Sequence, residues 1–297
     1  CKMMFSVFTW LVMLLVDAAF ADIVAKTFFS VGASNPTANG SVATASLLFI
    51  PLAIVFGFVV YRKHAPLAIS SVAGVAVLVL CVYLGLKFPL VGAFSTVAFW
   101  RAVVFIYCAI ASVTPVWILL QPRDYLNSFL LYFMIGAAVI GIVGSNPSVQ
   151  LHAFSAFDSK GNFVFPALFI TVACGAVSGF HSLISSGTTS KQLDNEKNAK
   201  MIGYGAMLIE CVLAVIALIC IGSLSKDGSY TGSPATVFAK AIEGFFLKMG
   251  FSETAGSIAF TVISLAVSAF CLTSLDTCCR LGRFTFQELF AAKKGEE

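Results

Sequence analysis

The sequence has 297 residues, 59% of them hydrophobic and 11% charged, with a formal net charge of +4 and a mean hydropathy of +0.96. A soluble domain carries about 25% charged residues, so a chain this apolar cannot cover itself with polar surface and belongs in a bilayer. No basic block is large enough to suggest a nucleic-acid partner, and the positive balance reads as loop lysine and arginine placed by membrane topology.

A membrane helix needs about 20 mostly apolar residues. Eight runs meet this, at roughly 3–25, 42–61, 66–86, 97–120, 126–144, 164–186, 201–222 and 255–277. Between them lie SNPTANG at 34–40, YRKHAP at 61–66, QPRDY at 121–125 and SNPSVQ at 145–150, which are loop signals. The expected fold is therefore all-α: a polytopic membrane protein of about eight transmembrane helices, one transmembrane domain over 1–297. The N-terminal side collects more Lys and Arg than the opposite side and is expected to be cytoplasmic. In this reading Arg123, Asp124 and Tyr125 form a cytoplasmic turn, with Asp124 capping helix 126–144.

Two stretches suit amphipathic helices at the headgroup level. In 237–250, Phe238, Ile242, Phe245 and Met249 recur at helical spacing, opposite Lys240 and Lys248. In 280–290, arginines alternate with Leu281, Phe284 and Phe286. An ordinary helix end reaching into water is the alternative for each. The nine cysteines include no C-x-x-C pair, and six of them (Cys81, Cys108, Cys174, Cys211, Cys220 and Cys271) lie inside apolar runs, so they read as small packing residues. His64, His152 and His181 fall in different segments without H-x-x-x-H spacing, so neither a metal site nor a cofactor is expected. The chain starts at Cys1 with no charged leader, and reads as a fragment.

An ionisable side chain at mid-bilayer costs roughly 2.5–3.5 kcal/mol, so each one is a candidate site. Asp17 lies just past the middle of the first run and is a candidate proton or cation group. Asp22, nearer the end, is either a second such group or a structural partner for Lys or Arg. Glu210 shares a helix face with Gly203, Ala206, Ala214 and Ala217, which points it at protein and makes it a second proton-coupling candidate. Asp276 reads as an i,i+4 ion pair with Arg280 at the cytoplasmic boundary.

The stretch GFHSLISSGTT at 179–189 places a histidine, three serines and two threonines where a helix should still be crossing lipid. On a helix, Ser178, His181, Ser182 and Ser185 form one polar stripe, and Gly175 with Gly179 forms a G-x-x-x-G pair. The run Ser185-Ser186-Gly187-Thr188-Thr189 favours unwinding, because its side chains compete with the helical ladder. Unwound backbone at membrane depth survives where it lines a cavity, and transporters use it to hold ions and anionic groups. The candidate substrate or ion site is thus His181, Ser185, Ser186, Thr188 and Thr189, with His181 as hydrogen-bond donor or proton relay. The alternative is a helix that ends at the cytoplasmic surface. An enzyme is not expected: no Gly-x-Ser-x-Gly elbow surrounds any serine, and i,i+4 side chains point in parallel instead of nucleophile to base.

These residues also carry a family resemblance. SGFHSLISSGTTSKQL followed by NAKMIGYGAMLIE, TPVWILLQPRDYLNSFL at 114–130, FPALFITVACGAVSGFH at 165–181 and SLDTCCRLGRFTFQEL at 274–289 closely resemble the signature of the carbon starvation protein A family. The resemblance implies a multi-pass bacterial inner-membrane protein that takes up small carbon sources, pyruvate or short peptides, driven by protons or sodium ions. It also implies membership of the amino acid–polyamine–organocation superfamily, with inverted repeats and a broken helix. Family members usually begin with more helices, including a Gly/Pro-rich segment, so the chain is expected to be an N-terminally truncated fragment. A homo-oligomer is possible within this family. The rival class is a membrane nutrient sensor or regulatory subunit that binds without transporting.

Overall fold

The computed structural model describes residues 2–29, 36–63, 66–90, 96–151, 157–159, 162–170, 179–187, 189–224 and 233–291. In chain order the helices are α1 (Lys2–Phe28), α2 (Pro36–Gly57, extended by a π turn Phe58–Arg62), α3 (Leu67–Lys87), α4 (Val97–Val113) and α5 (Val116–Ser145). A two-residue antiparallel hairpin follows, β1 (Asp158–Ser159) with β2 (Asn162–Phe163), Asp158 opposite Phe163. Then come a π turn Val164–Leu168, α6 (Gly179–Gly187), a 3-10 turn Thr189–Lys191, α7 (Asn198–Leu224), α8 (Pro234–Lys248) and α9 (Glu253–Ala291). Among the described residues, six helical segments are long and apolar enough to cross a membrane, and Val97–Val113 is a shorter apolar helix. The protein is a multi-pass, all-α integral membrane protein.

Local chemistry sets several boundaries. Thr96 caps α4, its hydroxyl accepting the Phe99 N–H at 3.3 Å. Ser233 caps α8 in the same way, with Pro234 in the first turn, where a missing N–H is harmless. α5 ends on left-handed Asn146 at φ 42°, and the turn between α8 and α9 passes through Gly250 at φ 89°, a conformation glycine tolerates.

Two expectations are corrected here. The break predicted at QPRDY lies instead at 114–115. Thr114 precedes Pro115, whose ring forces it out of the helical region, to φ −67° and ψ 138°. α5 then runs unbroken through Pro122, Arg123, Asp124 and Tyr125, so those residues are not a turn and Asp124 caps nothing. Arg123 therefore leaves the loop count on which the cytoplasmic assignment rested. The run 164–186 is also not helical from its start: Phe165 is extended at φ −112° and ψ 128°, residues 179–187 are helical, and residues 171–178 lie outside the described set.

α9 is the organising element, packing on α1, α8, α2, α4 and α5. One core joins α2, α3, α5, α8 and α9 through Phe49, Phe56, Leu130, Met134, Ile242, Phe245, Phe260 and Ile263. A second joins α1, α2, α4 and α9 through Val24, Phe28, Val42, Trp100, Val104 and Leu275. α8 is amphipathic as expected, but its apolar face (Phe238, Ile242, Phe245) enters the protein core. The stretch 280–290 is the continuation of α9, with Leu281 buried and Phe284 and Phe286 exposed.

α2 and α3 touch most closely at Gly85, where an added Cβ would lie 2.7 Å from the Ser41 carbonyl oxygen and 3.0 Å from the Ala45 Cβ. Small residues permit this approach in the absence of a hydrophobic drive between helices in lipid. Gly85→Val should lower detergent-melting stability by about 1–3 kcal/mol through overpacking. Gly203→Ala, where nothing lies within 4 Å, should leave it unchanged or slightly raised. Equal melting temperatures for wild type and Gly85→Val would contradict the packing described.

Candidate functional site: a buried charge network and a carboxylate-bearing cleft

Because α5 starts at Val116, its second turn carries Arg123 into the bundle, where the side chain is 1% exposed. Its Nη1 pairs with Asp276 Oδ2 of α9 at 2.7 Å, and Asp276 is fully buried. Tyr107 of α4 donates its hydroxyl to the same Oδ2 at 2.9 Å and also contacts Arg123 Nη1. Arg123 Nη2 donates to Thr273 Oγ1 at 2.9 Å, as does Asn127 Nδ2, also at 2.9 Å. Three helices thus converge on one charge pair. Arg123 and Asn127 are i,i+4 on α5, and Thr273 and Asp276 are i,i+3 on α9, so each pair shares a helix face. Asp276 was expected to pair with Arg280 along its own helix. It turns to Arg123 instead, because a guanidinium from α5 reaches it inside the core.

Asp17 of α1 lies on the other side of α9. One carboxylate oxygen accepts the Cys279 thiol at 3.4 Å, and the other is buried with no hydrogen-bond partner. Asp17 lines a cleft of about 410 Å³ between α1, α4 and α9, together with Trp10, Phe105, Cys108, Cys279 and Arg283. Arg283 is tied by Nη1 to the Ser112 carbonyl at 2.7 Å. Asp22, by contrast, is a structural partner: it accepts Arg101 Nε at 2.8 Å and Lys26 Nζ at 2.6 Å.

The stretch around 179–189 is helical through Gly187 and then turns through Thr189–Lys191. His181, Ser185, Ser186 and Thr189 are exposed in this chain, and Thr188 lies outside the described residues. So do Ser178, Gly175, His64 and His152. Ser185 donates to the Ser182 carbonyl at 2.9 Å and Ser186 to the Leu183 carbonyl at 3.1 Å, so the two hydroxyls bond back to their own helix. The segment is seated on α9 at Gly187, whose missing Cβ admits Leu281; Leu183 packs beside Met13, Cys278 and Leu281.

Glu210 is exposed on α7 at the margin of an apolar cavity of about 560 Å³, also lined by Ala206, Ala217, Met134, Phe238 and Phe270. The small face predicted to bury Glu210 is only partly used, since Gly203 meets nothing within 4 Å. The Arg123–Asp276 network was missed by reading the sequence. A usable signal was present: R-D-x-x-N and T-x-x-D, polar groups of both signs, at helical spacing inside two apolar runs.

Ionisable side chains inside a multi-pass membrane protein, here an enclosed ion pair and a second carboxylate facing a cleft, mark a candidate functional site. The family model for "Carbon starvation protein CstA" matches residues 1–232, and the chain belongs to that family. It is similar to the peptide transporter CstA of Helicobacter pylori, 42% identical over 187 residues, covering 59% of this chain and 27% of that protein. It is similar to the pyruvate/proton symporter BtsT of Escherichia coli, 36% identical over 238 residues, covering 74% and 31%. A third relative, the peptide transporter CstA of Bacillus subtilis, is 29% identical over 282 residues, covering 81% and 47%. The chain thus spans between about a quarter and a half of the length of these relatives. No solved structure matches.

Removing one partner of a buried ion pair leaves an uncompensated charge, which costs about 3–5 kcal/mol. Arg123→Met should lose that much stability in detergent melting or denaturant titration. Tyr107→Phe, which strips one hydrogen bond from the buried carboxylate, should lose about 1–3 kcal/mol. Wild-type stability in Arg123→Met would show that the pair is not formed inside the bundle.

Proposed function

We propose that the protein works as a secondary active transporter for uptake of a small carbon source, a small carboxylate such as pyruvate or a short peptide, coupled to protons. The observation that carries this reading is the contrast among its intramembrane carboxylates. Asp22 and Asp276 each hold a cationic partner. Asp17 is held by a thiol, with one oxygen unpartnered beside a cleft. A carboxylate placed this way can take up and release a proton without breaking an ion pair that holds the bundle together. The names of the relatives, peptide transporters and a pyruvate/proton symporter, support the same substrate classes and a proton as the coupling ion.

In this reading Asp17 is the coupling group and Glu210 a second proton carrier. His181, Ser185, Ser186, Thr188 and Thr189 form the polar end of the path, around the C-terminal end of α6 where it rests on α9. Its seat at Gly187 against Leu281 is one small-residue contact, suited to a segment that shifts when the site changes its access. The Ser185 hydroxyl donates to the Ser182 carbonyl of its own helix, and the relatives are named as transporters, which supports transport over catalysis.

Proteoliposomes carrying the protein should accumulate labelled pyruvate or a labelled dipeptide when an inward proton gradient is imposed. Asp17→Asn should abolish that accumulation by at least about tenfold while retaining exchange of labelled for unlabelled solute, and Glu210→Gln should reduce it. His181→Ala should raise the concentration for half-maximal uptake. Binding without accumulation in the wild type would make the protein a sensor, and normal gradient-driven uptake by Asp17→Asn would remove Asp17 from the coupling step.

A further inference from the structure

Four arginines lie within the α1, α4, α5 and α9 assembly, and three have acceptors. Arg101 bonds Asp22, Arg123 bonds Asp276 and Thr273, and Arg283 bonds the Ser112 carbonyl. Arg123 leaves its Nε without a partner, whereas Arg280 leaves two buried nitrogens without one. The Arg280 side chain is 7% exposed, yet both Nε and Nη2 are buried without a hydrogen-bond partner. The carboxylate four residues before it on α9, Asp276, is held by Arg123 and Tyr107.

Nε and Nη2 are not two arbitrary atoms. Their N–H bonds point in parallel from one edge of the guanidinium, at the spacing of the two oxygens of a carboxylate. A buried, charged donor edge left unmade is destabilising, and native proteins rarely retain one without use. The surroundings add the complementary half. Asp124 Oδ1, Asn127 Oδ1 and Asp276 Oδ1 are buried acceptors, also without partners. A region holding a vacant two-point donor edge and several vacant acceptors matches a solute with an anionic end and a hydrogen-bond-donating end.

We propose that the Nε–Nη2 edge of Arg280 binds the carboxylate of the transported solute, beside the Arg123–Asp276 pair. This rests on the reading that the protein carries such a solute. The edge is sealed from solvent in this conformation, so the solute reaches it when α9 and its neighbours part, and the state described here is closed over the site. Asp124 and Asn127, one turn apart on α5, accept from the donor end when there is one. Pyruvate, which has no such end, uses Arg280 alone.

The test is equilibrium binding of labelled pyruvate, of a dipeptide and of the same dipeptide as its C-terminal amide to the purified protein. The wild type should bind the acid dipeptide at least about tenfold more tightly than the amide, a comparison that needs no variant to fold. Arg280→Lys keeps the charge but not the fork, and should weaken pyruvate and acid dipeptide at least about tenfold while leaving the amide unchanged. Equal wild-type affinity for acid and amide would overturn the assignment. So would wild-type affinities in a folded Arg280→Lys, or an equal loss for acid and amide, which would mark Arg280 as structural with its edge satisfied by water. Binding with this pattern but no accumulation in proteoliposomes would sink the transport reading and leave the Arg280 site standing; no binding of any of the three would sink both.

Discussion

The structure turns on one ion pair, Arg123 with Asp276, enclosed where three helices meet. Two charges removed from water lose several kcal/mol of hydration each, and their attraction repays this only with good geometry and further hydrogen bonds. The geometry is met and the hydrogen bonds in part, since Asp276 Oδ1 and Arg123 Nε stay without partners. The contact is 2.7 Å, Tyr107 supplies a hydroxyl to the carboxylate, and Thr273 takes the second guanidinium nitrogen. Such a pair is poor evidence for net stability against an apolar replacement. It is a strong constraint on arrangement, because any slip of α5 along α9 strands a charge in an apolar core. In lipid, where helices gain little from hydrophobic association, a polar contact of this kind sets register.

That constraint shapes the chemistry around it. With Asp276 committed to Arg123, Arg280 on the next turn of α9 is left with a bare donor edge. With Asp22 committed to Arg101 and Lys26, Asp17 is the carboxylate of α1 that faces a cleft without a cation bonded to it. α9 therefore separates two regions of different character. One, toward α5, is charged and closed, and keeps buried donors and acceptors without partners. The other, toward α1, holds a carboxylate beside thiols and aromatic rings. α6 rests on α1 and α9 through Leu183 and Gly187, so movement of α9 would be felt at all three places.

Much of this architecture was legible in the sequence. Composition alone required a bilayer, and apolar run length located α1, α3 and α7 closely, while α2 begins earlier and α9 runs on to Ala291. What was not legible has a common cause: side chains that are unfavourable locally but satisfied from far along the chain. QPRDY looks like a loop because Pro, Arg and Asp seldom occupy a membrane helix, and only Asp276, more than 150 residues on, makes Arg123 acceptable there. The Thr114–Pro115 break was masked by apolar residues on both sides. The amphipathic pattern of α8 was correctly read, but periodicity cannot say whether the apolar face meets lipid or protein, and Phe238 and Ile242 meet protein. For 179–189 unwinding was expected from Ser185 to Thr189, but the helix holds through Gly187, with a 3-10 turn at Thr189–Lys191. The use of the polar stripe there stands as a proposal.

A double-mutant cycle between Arg123 and Asp276, read as unfolding free energy in detergent or nanodiscs, bears most directly on the enclosed ion pair. If the pair is buried as described, Arg123→Met with Asp276→Leu should be more stable than either single variant, with a coupling energy of about 2 kcal/mol or more. Losses that simply add, to within about 0.5 kcal/mol, would mean that the two side chains do not meet, and the bundle would have to be organised around something else.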